Sequence, residues 1–244
     1  MVNGLYTASR GMTNILSKQD INSQNLANTN TTGFKLARLT NSSEVIVGRN
    51  ESGELSQREF QKVNEAVTSF AQGPMVRTGN NFDLALTNKG FFTIEGDDGP
   101  RYTRNGSFTQ NAMGEMVTLN GDRVLDTNDA PIILKGNSVQ FMEDGSISVD
   151  DKKIATLAVV DFDDLKLLRY GADGLFKNSD PAVNVPHAPE VVGCRQGFLE
   201  GSNVDPISTM VTMMAEFRNY EADQKALKAV DETLGKAVNE VGRV

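Results

Sequence analysis

Cys194 and His187, the only cysteine and the only histidine of the sequence, are the two side chains whose types could do nucleophilic chemistry together. A thiolate needs a base within hydrogen-bond reach, and that base needs a group to orient it. His187 lies between Pro186 and Pro189 in an irregular stretch, and no local nucleophile motif surrounds Cys194. The pair therefore reads as a solvated histidine and an incidental thiol. Asp161, Asp163 and Asp164 follow an apolar run and could hold a cation or divide acid and base roles. The calcium-loop pattern of alternating acids, fixed glycine and distal glutamate is absent, so the three read as a solvated loop. Asp97-Asp98 and Asp150-Asp151 read as turn acids, and no glycine-rich turn carries the lysine and hydroxyl of a phosphate loop. Residues are present without a constellation. The expectation is no catalytic, cofactor-binding or metal residue, and no enzyme.

Composition narrows the partners. The 244 residues are enough to bury a real core in one large domain or two smaller ones. A formal charge of -8 with no offsetting basic stretch argues against nucleic acid. One cysteine leaves no internal disulfide framework. No apolar run approaches a membrane span and the N-terminus lacks the apolar core of a cleavable signal peptide, so no membrane insertion is expected.

The elements that must position everything else lie at the two ends. From Asn203 to Val244 the only proline is Pro206, tolerated in a first helical turn, with Asn203 and Asp205 as cap candidates. Met213, Phe217, Tyr220, Leu227, Leu234, Val238 and Val241 fall on one stripe, completed by the polar Gln224 and Asp231. Leu5, Ala8, Met12, Ile15 and Leu26 make a matching stripe near the start, with Gln19 and Asn22 as polar members. Residues 1 to 40 carry Arg10, Lys18, Lys35 and Arg38 against Asp20, whereas the C-terminal helix is rich in acids. Opposite charge favours their pairing, although each exposed pair contributes only about 0–1 kcal/mol. A long helix with a narrow seam is marginal alone, and polar members weaken the pair. Further helices from other subunits are therefore expected. Gln19 or Gln224 would set register at a cost in stability.

Between the helices, residues 36 to 79 are polar, with Ser/Asn clusters and a break at Gly73-Pro74, and read as an extended linker. From about residue 80 the chain reads as mainly antiparallel β. Turn signals at Gly96-Asp-Asp-Gly99, Asn105-Gly106, Met113-Gly114, Asn120-Gly121 and Asp144-Gly145 separate short candidate strands. Ile154 to Val160, the most apolar run, is predicted to be the central strand.

Asn25-Leu26-Ala27-Asn28 followed by Thr32-Gly33-Phe34-Lys35 ends the first helix in a turn. Together with Gly4 to Ala8 and Gly11-Met12, these residues resemble the first motif of the flagellar axial proteins, which build the rod and hook of the bacterial flagellum. Gly197 to Asp205, continued by Arg218, Tyr220, Glu221 and Lys225, is similar to the second motif of that family. Asn81 to Leu86, Gly90-Phe-Phe and Tyr102 to Phe108 extend the resemblance through the middle. The chain is too short for a hook protein with its added outer domain. Gly201 and Asp173-Gly-Leu-Phe176 look more like the proximal-rod than the distal-rod branch.

The resemblance implies an α+β fold, with a discontinuous N- and C-terminal α-helical coiled-coil domain (1–35 plus 203–244) flanking a mainly antiparallel β domain (80–202). It implies a structural subunit of the rod, exported by the flagellar export apparatus without a cleaved signal. The partners would be other rod proteins and copies of itself, in the basal body that spans the periplasm. The expected assembly interface comprises Leu5, Ala8, Met12, Ile15, Leu26, Asn28, Gly33, Phe34, Met213, Phe217, Tyr220, Leu227, Leu234 and Val238. The alternatives are a β-domain enzyme or binding module dimerised by its terminal helices, and a secreted adhesin. Protease-labile ends on the monomer would separate the structural reading from the dimeric one.

Overall fold

The computed structural model describes residues 2–49, 55–136, 138–171 and 173–241, with side chains described for 9–40, 66–136, 138–171, 173–233 and 235–236. The chain divides into two compact units: unit 1 holds residues 1–28, 36–69 and 204–244, and unit 2 holds 29–35 and 70–203.

In unit 1, helix α1 (Val2–Ala27) is followed by strands β1 (Ala37–Arg49) and β2 (Leu55–Thr68), and helix α2 (Pro206–Val241) closes the chain. The start of α2 and the end of α1 lie where local chemistry requires them. Asp205 accepts the Ile207 N–H at 3.1 Å from the cap position, and Pro206 opens the first turn of α2, where no donor is needed. Asn203, the other cap candidate, instead donates its side chain to the Ala71 carbonyl within unit 2. After α1 the chain turns through Asn28, whose N–H and side-chain amide both reach the Gln24 carbonyl. The segment read as a linker contains the two long strands, paired antiparallel from Ala37↔Thr68 to Arg49↔Leu55 with a register shift at Thr40/Ser42. Its Ser, Thr and Asn content hides a ribbon with no apolar alternation, which is why the sequence reads as irregular.

Unit 2 is built of short strands: β3 (Met75–Arg77), β4 (Leu84–Leu86), β5 (Phe91–Ile94), β6 (Arg101–Thr103), β7 (Phe108–Gln110) and β8 (Met116–Thr118). Beyond these come β9 (Val139–Phe141), β10 (Ser146–Val149), β11 (Lys152–Thr156), β12 (Val159–Val160), β13 (Leu168–Tyr170), β14 (Phe176–Asn178), β15 (Cys194–Gln196) and β16 (Phe198–Glu200). The main sheet runs β12-β5-β6-β14-β13; a second runs β11-β10-β9, and the pairs β15-β4, β16-β3 and β7-β8 complete the set. Every described pairing is antiparallel.

The apolar run predicted as one central strand is divided. Lys152–Thr156 forms one edge of the three-stranded sheet and Val159–Val160 one edge of the five-stranded sheet, while Ile154 is exposed. Leu157 and Ala158 make the crossing, and both are buried. Apolarity here records burial at a change of sheet, not centrality. Leu84, Phe92, Ile94, Met116, Ile147 and Leu157 lie in one core cluster; Phe91, Tyr102, Phe162, Leu168 and Phe176 lie in a second, aromatic one. In that second cluster Phe91 and Phe176 pack at 5.8 Å and Tyr102 and Phe162 at 4.8 Å, both edge-to-face, the geometry favoured by the ring quadrupoles.

Candidate assembly surface and buried junction

The residues with enzyme-like chemistry do not converge. Cys194 starts β15, pairs with Leu86 of β4 and lies in the apolar core. Burial, with a smaller contribution from Asp144, pushes its thiol from an ordinary 9.0 up to about 12, so it is a poor nucleophile. His187 is exposed and exchanges backbone hydrogen bonds with Asp161, 2.8 and 3.1 Å long, beside an open cleft that also includes Lys89 and Glu190. Asp164 caps the short helical turn Leu165–Leu167 by accepting the Lys166 N–H, a structural task. Among the described residues no cluster of three His, Cys, Asp or Glu gathers as a metal-ligand set.

The terminal helices pack on each other within unit 1. Met12, Ile15 and Leu26 of α1 are half-buried, as are Met213, Tyr220 and Leu227 of α2. Leu5, Ala8, Leu234 and Val238 have helical backbones, and their side chains lie outside those described. The expected seam of α2 is rotated. From Met210 to Thr233 its half-buried positions are Met213, Glu216, Tyr220, Asp223 and Leu227, whereas Phe217 is 51% exposed and Gln224 and Asp231 are exposed. One contact marks this rotation: Asn22 donates to Glu216 at 2.9 Å. Asp223 lies on the same side, its carboxylate close to the glycine face of α1 at Gly11, where a Cβ would meet it at 3.7 Å. Glu216 and Asp223 are the residues a search for apolar periodicity passes over, because a carboxylate on a seam looks like a break in the pattern. Gln224 is exposed and donates to its neighbour Tyr220 at 3.3 Å. Gln19 is half-buried and keeps a place beside Met213 and Phe217.

The rotation leaves an apolar stripe uncovered. Ile207, Met210, Val211, Met214 and Phe217 follow the three-and-four spacing of one helix face, and all are exposed, Ile207 by 74% and Met214 by 61%. At 100° per residue this stripe lies roughly 140° round α2 from the positions facing α1. A helix carrying apolar residues on two faces has one face more than its partner in the chain can cover.

The two motif segments that bracket the helices do different work. Asn25, fully buried near the end of α1, donates to the Ala37 carbonyl at 2.7 Å and accepts the Ala37 N–H at 2.9 Å, a two-point bond that starts β1. Within unit 2, Gly33 adopts φ +70 and approaches the Asn105 backbone so closely that a Cβ would overlap it. Phe34 is buried and meets Tyr170 edge-to-face at 5.5 Å. Gly33 and Phe34 are thus internal to this unit.

Beside them lies a buried ionic cluster. Lys35 Nζ sits 2.5 Å from Glu200 Oε1 and donates to the Ala71 carbonyl at 2.8 Å; Arg104 reaches Glu200 Oε2 at 3.3 Å; the Gly73 N–H donates to Glu200 Oε1 at 2.9 Å. The Lys35 and Glu200 side chains are both fully buried. Burial pushes the Lys35 ammonium and the Arg104 guanidinium below their ordinary values, opposed in each case by Glu200. Lys35 and Glu200 both stand in the motifs read from the sequence, but charged residues far apart in the chain are read as surface by default.

Three protein-family models match this chain: "Flagella basal body rod protein" over residues 5–35, "Flagellar hook protein FlgE/F/G D1 domain" over 85–149 and "Flagellar basal body rod FlgEFG protein C-terminal" over 195–240. The flagellar basal-body rod protein FlgF of Caulobacter vibrioides is 33% identical over 247 residues, covering 100% of both chains. FlgF of Rhizobium meliloti is 30% identical over 245 residues, covering 99% of each. The rod protein FlgG of Agrobacterium fabrum is 29% identical over 251 residues, covering 93% of this chain and 95% of its own.

Proposed function

The chain belongs to the flagellar basal-body rod protein family, and from that premise we propose how it is built into the rod. It is a structural subunit of the rod, similar to FlgF, with FlgG proteins also related. It assembles with other rod components through its two terminal helices. The terminal helices α1 and α2 act as a discontinuous coiled-coil domain, the β-rich unit braces the outside of the shaft, and the ribbon β1–β2 lies along neighbouring subunits. The subunit reaches the periplasm-spanning rod through the flagellar export apparatus, without a cleaved signal peptide. Its role is mechanical and includes no catalysis.

The observation that carries this reading is the uncovered stripe Ile207, Met210, Val211, Met214 and Phe217 on α2. Such a face is costly in water, at roughly 25 cal/mol per Å² of apolar surface, and neighbouring helices in a tube would cover it. The alternative, an enzyme or binding module dimerised by these helices, has its only thiol sealed in the core. The test is deletion of the coding sequence followed by complementation. Loss of rod completion and motility, restored by the intact gene, is expected; normal flagella in the deletion strain would overturn the assignment.

A further inference from the structure

Unit 2 is connected to the rest of the chain through the residues at 28–29, 35–36, 69–70 and 203–204. The segments beside these passages converge on one side chain. Glu200 takes Lys35 from the first segment and the Gly73 N–H from the second, and its own backbone carbonyl accepts the Gly33 N–H at 2.8 Å. The remaining links close the ring: Gly201 N–H to the Pro74 carbonyl at 2.8 Å, Asn203 side chain to the Ala71 carbonyl at 2.9 Å, and Lys35 to that same carbonyl. The backbone is equally close, since a Cβ on Gly73 would overlap the Gly201 carbonyl. Arg104, from the body of the unit, holds the other carboxylate oxygen and anchors the ring to the β core.

An ion pair buried this completely is a poor source of net stability, because desolvating two charges offsets most of their attraction. Its distinguishing property is that each partner is intolerable without the other, so the segments stay together or open together. We infer that Glu200 is a junction that locks the three segments 29–35, 70–74 and 200–203 into one cooperative unit, sharing a pull on any one of them among all three and the β core. The inference concerns unit 2 alone and holds whatever unit 1 assembles with.

The test is amide hydrogen exchange on the full-length chain, read residue by residue by NMR, for wild type and Glu200→Gln. The Gly33, Gly73 and Gly201 amides should exchange faster together, by roughly 10- to 100-fold, the range set by hydrogen bonds to a charged group. The amides of Leu84, Thr93 and Val124, bonded in the body of the unit, should keep their wild-type rates. If Glu200→Gln fails to fold because Lys35 and Arg104 are left uncompensated, Glu200→Gln combined with Lys35→Met and Arg104→Met removes all three charges and should show the same joint rise. A rise confined to Gly73, no rise, or an equal rise at Leu84, Thr93 and Val124 would overturn the junction.

Discussion

Asn22 of α1 donates its side-chain amide to the Glu216 carboxylate of α2 at 2.9 Å, joining positions 194 apart in sequence. Both residues are half-buried, so water competes only partly for the bond. In a narrow seam, one such pair sets which turn of α1 faces which turn of α2, because a slip of one turn leaves a carboxylate and an amide against apolar side chains. A double-mutant cycle with Asn22→Ala and Glu216→Ala should yield a coupling of about 1 kcal/mol, measured by denaturant unfolding of helical circular dichroism on the dilute chain. Gln224→Leu, on the exposed side of α2, should shift the same transition by no more than about 0.5 kcal/mol. A coupling near zero would show that the observed register is held by other contacts.

Two glycines with nearly equal φ separate conformation from space. Gly33 has φ +70 and Gly79 φ +75, but a Cβ on Gly33 would overlap the Asn105 backbone, whereas nothing lies within 4 Å of one on Gly79. Gly79→Ala should cost only the left-handed penalty of roughly 1–2 kcal/mol. Gly33→Ala should cost that plus the backbone displacement, about 3–5 kcal/mol in all. Urea midpoints of the two variants provide the comparison, and equal losses would mean that the segment at Gly33 yields freely.

The parts of the fold that could be read from the sequence are those whose signal is local. Pro206 behind Asp205 marks the start of α2, and Asn28 and Gly33 mark the turn after α1, because caps and positive φ demand particular residues within a few positions. The same holds for the turn signals at Gly96–Gly99, Met113-Gly114 and Asp144-Gly145, which stand between the paired strands β5 and β6, β7 and β8, and β9 and β10. What escaped was set by pairing over distance. β1 and β2 are stabilised by each other and carry no alternation, so their polar residues resemble a linker. Lys35 and Glu200 lie 165 positions apart, and neither residue alone announces a buried partner. The rotation of the α2 seam escaped for a related reason. Met213, Tyr220 and Leu227 belong to either reading of the stripe, and only contact with α1 decides between Phe217 and Glu216.

The exposed side of α2 provides a test that separates folding from assembly. Phe217→Ser and Met214→Ser replace side chains exposed in the chain by 51% and 61%, so the isolated protein should change in stability by no more than about 0.5 kcal/mol. Incorporation into rods should fall sharply, because the same residues would be buried between subunits and a truncated anchor there costs 2 kcal/mol or more, roughly a thirtyfold loss of affinity per contact. Thermal unfolding of the purified variants, set beside motility of a deletion strain carrying them, makes the comparison. Full motility with both substitutions would remove this face from the assembly surface.

Cys194 links core packing to alkaline stability. Its thiol is buried in β15 and held up at about 12, against an ordinary 9.0 in the unfolded chain. Below pH 9 both states keep the proton and the thiol adds no pH dependence. Between pH 9 and about 12 the unfolded chain loses the proton while the folded chain keeps it, so the unfolded state is favoured as pH rises. Wild type should therefore lose more stability between pH 8 and pH 11 than Cys194→Ala does, as read from urea midpoints at each pH. At pH 8 a thiol reagent should modify the native protein only at the rate of its opening, and modify the urea-unfolded chain at once. Rapid labelling of the native protein would place the sulfur within reach of solvent and cancel both expectations.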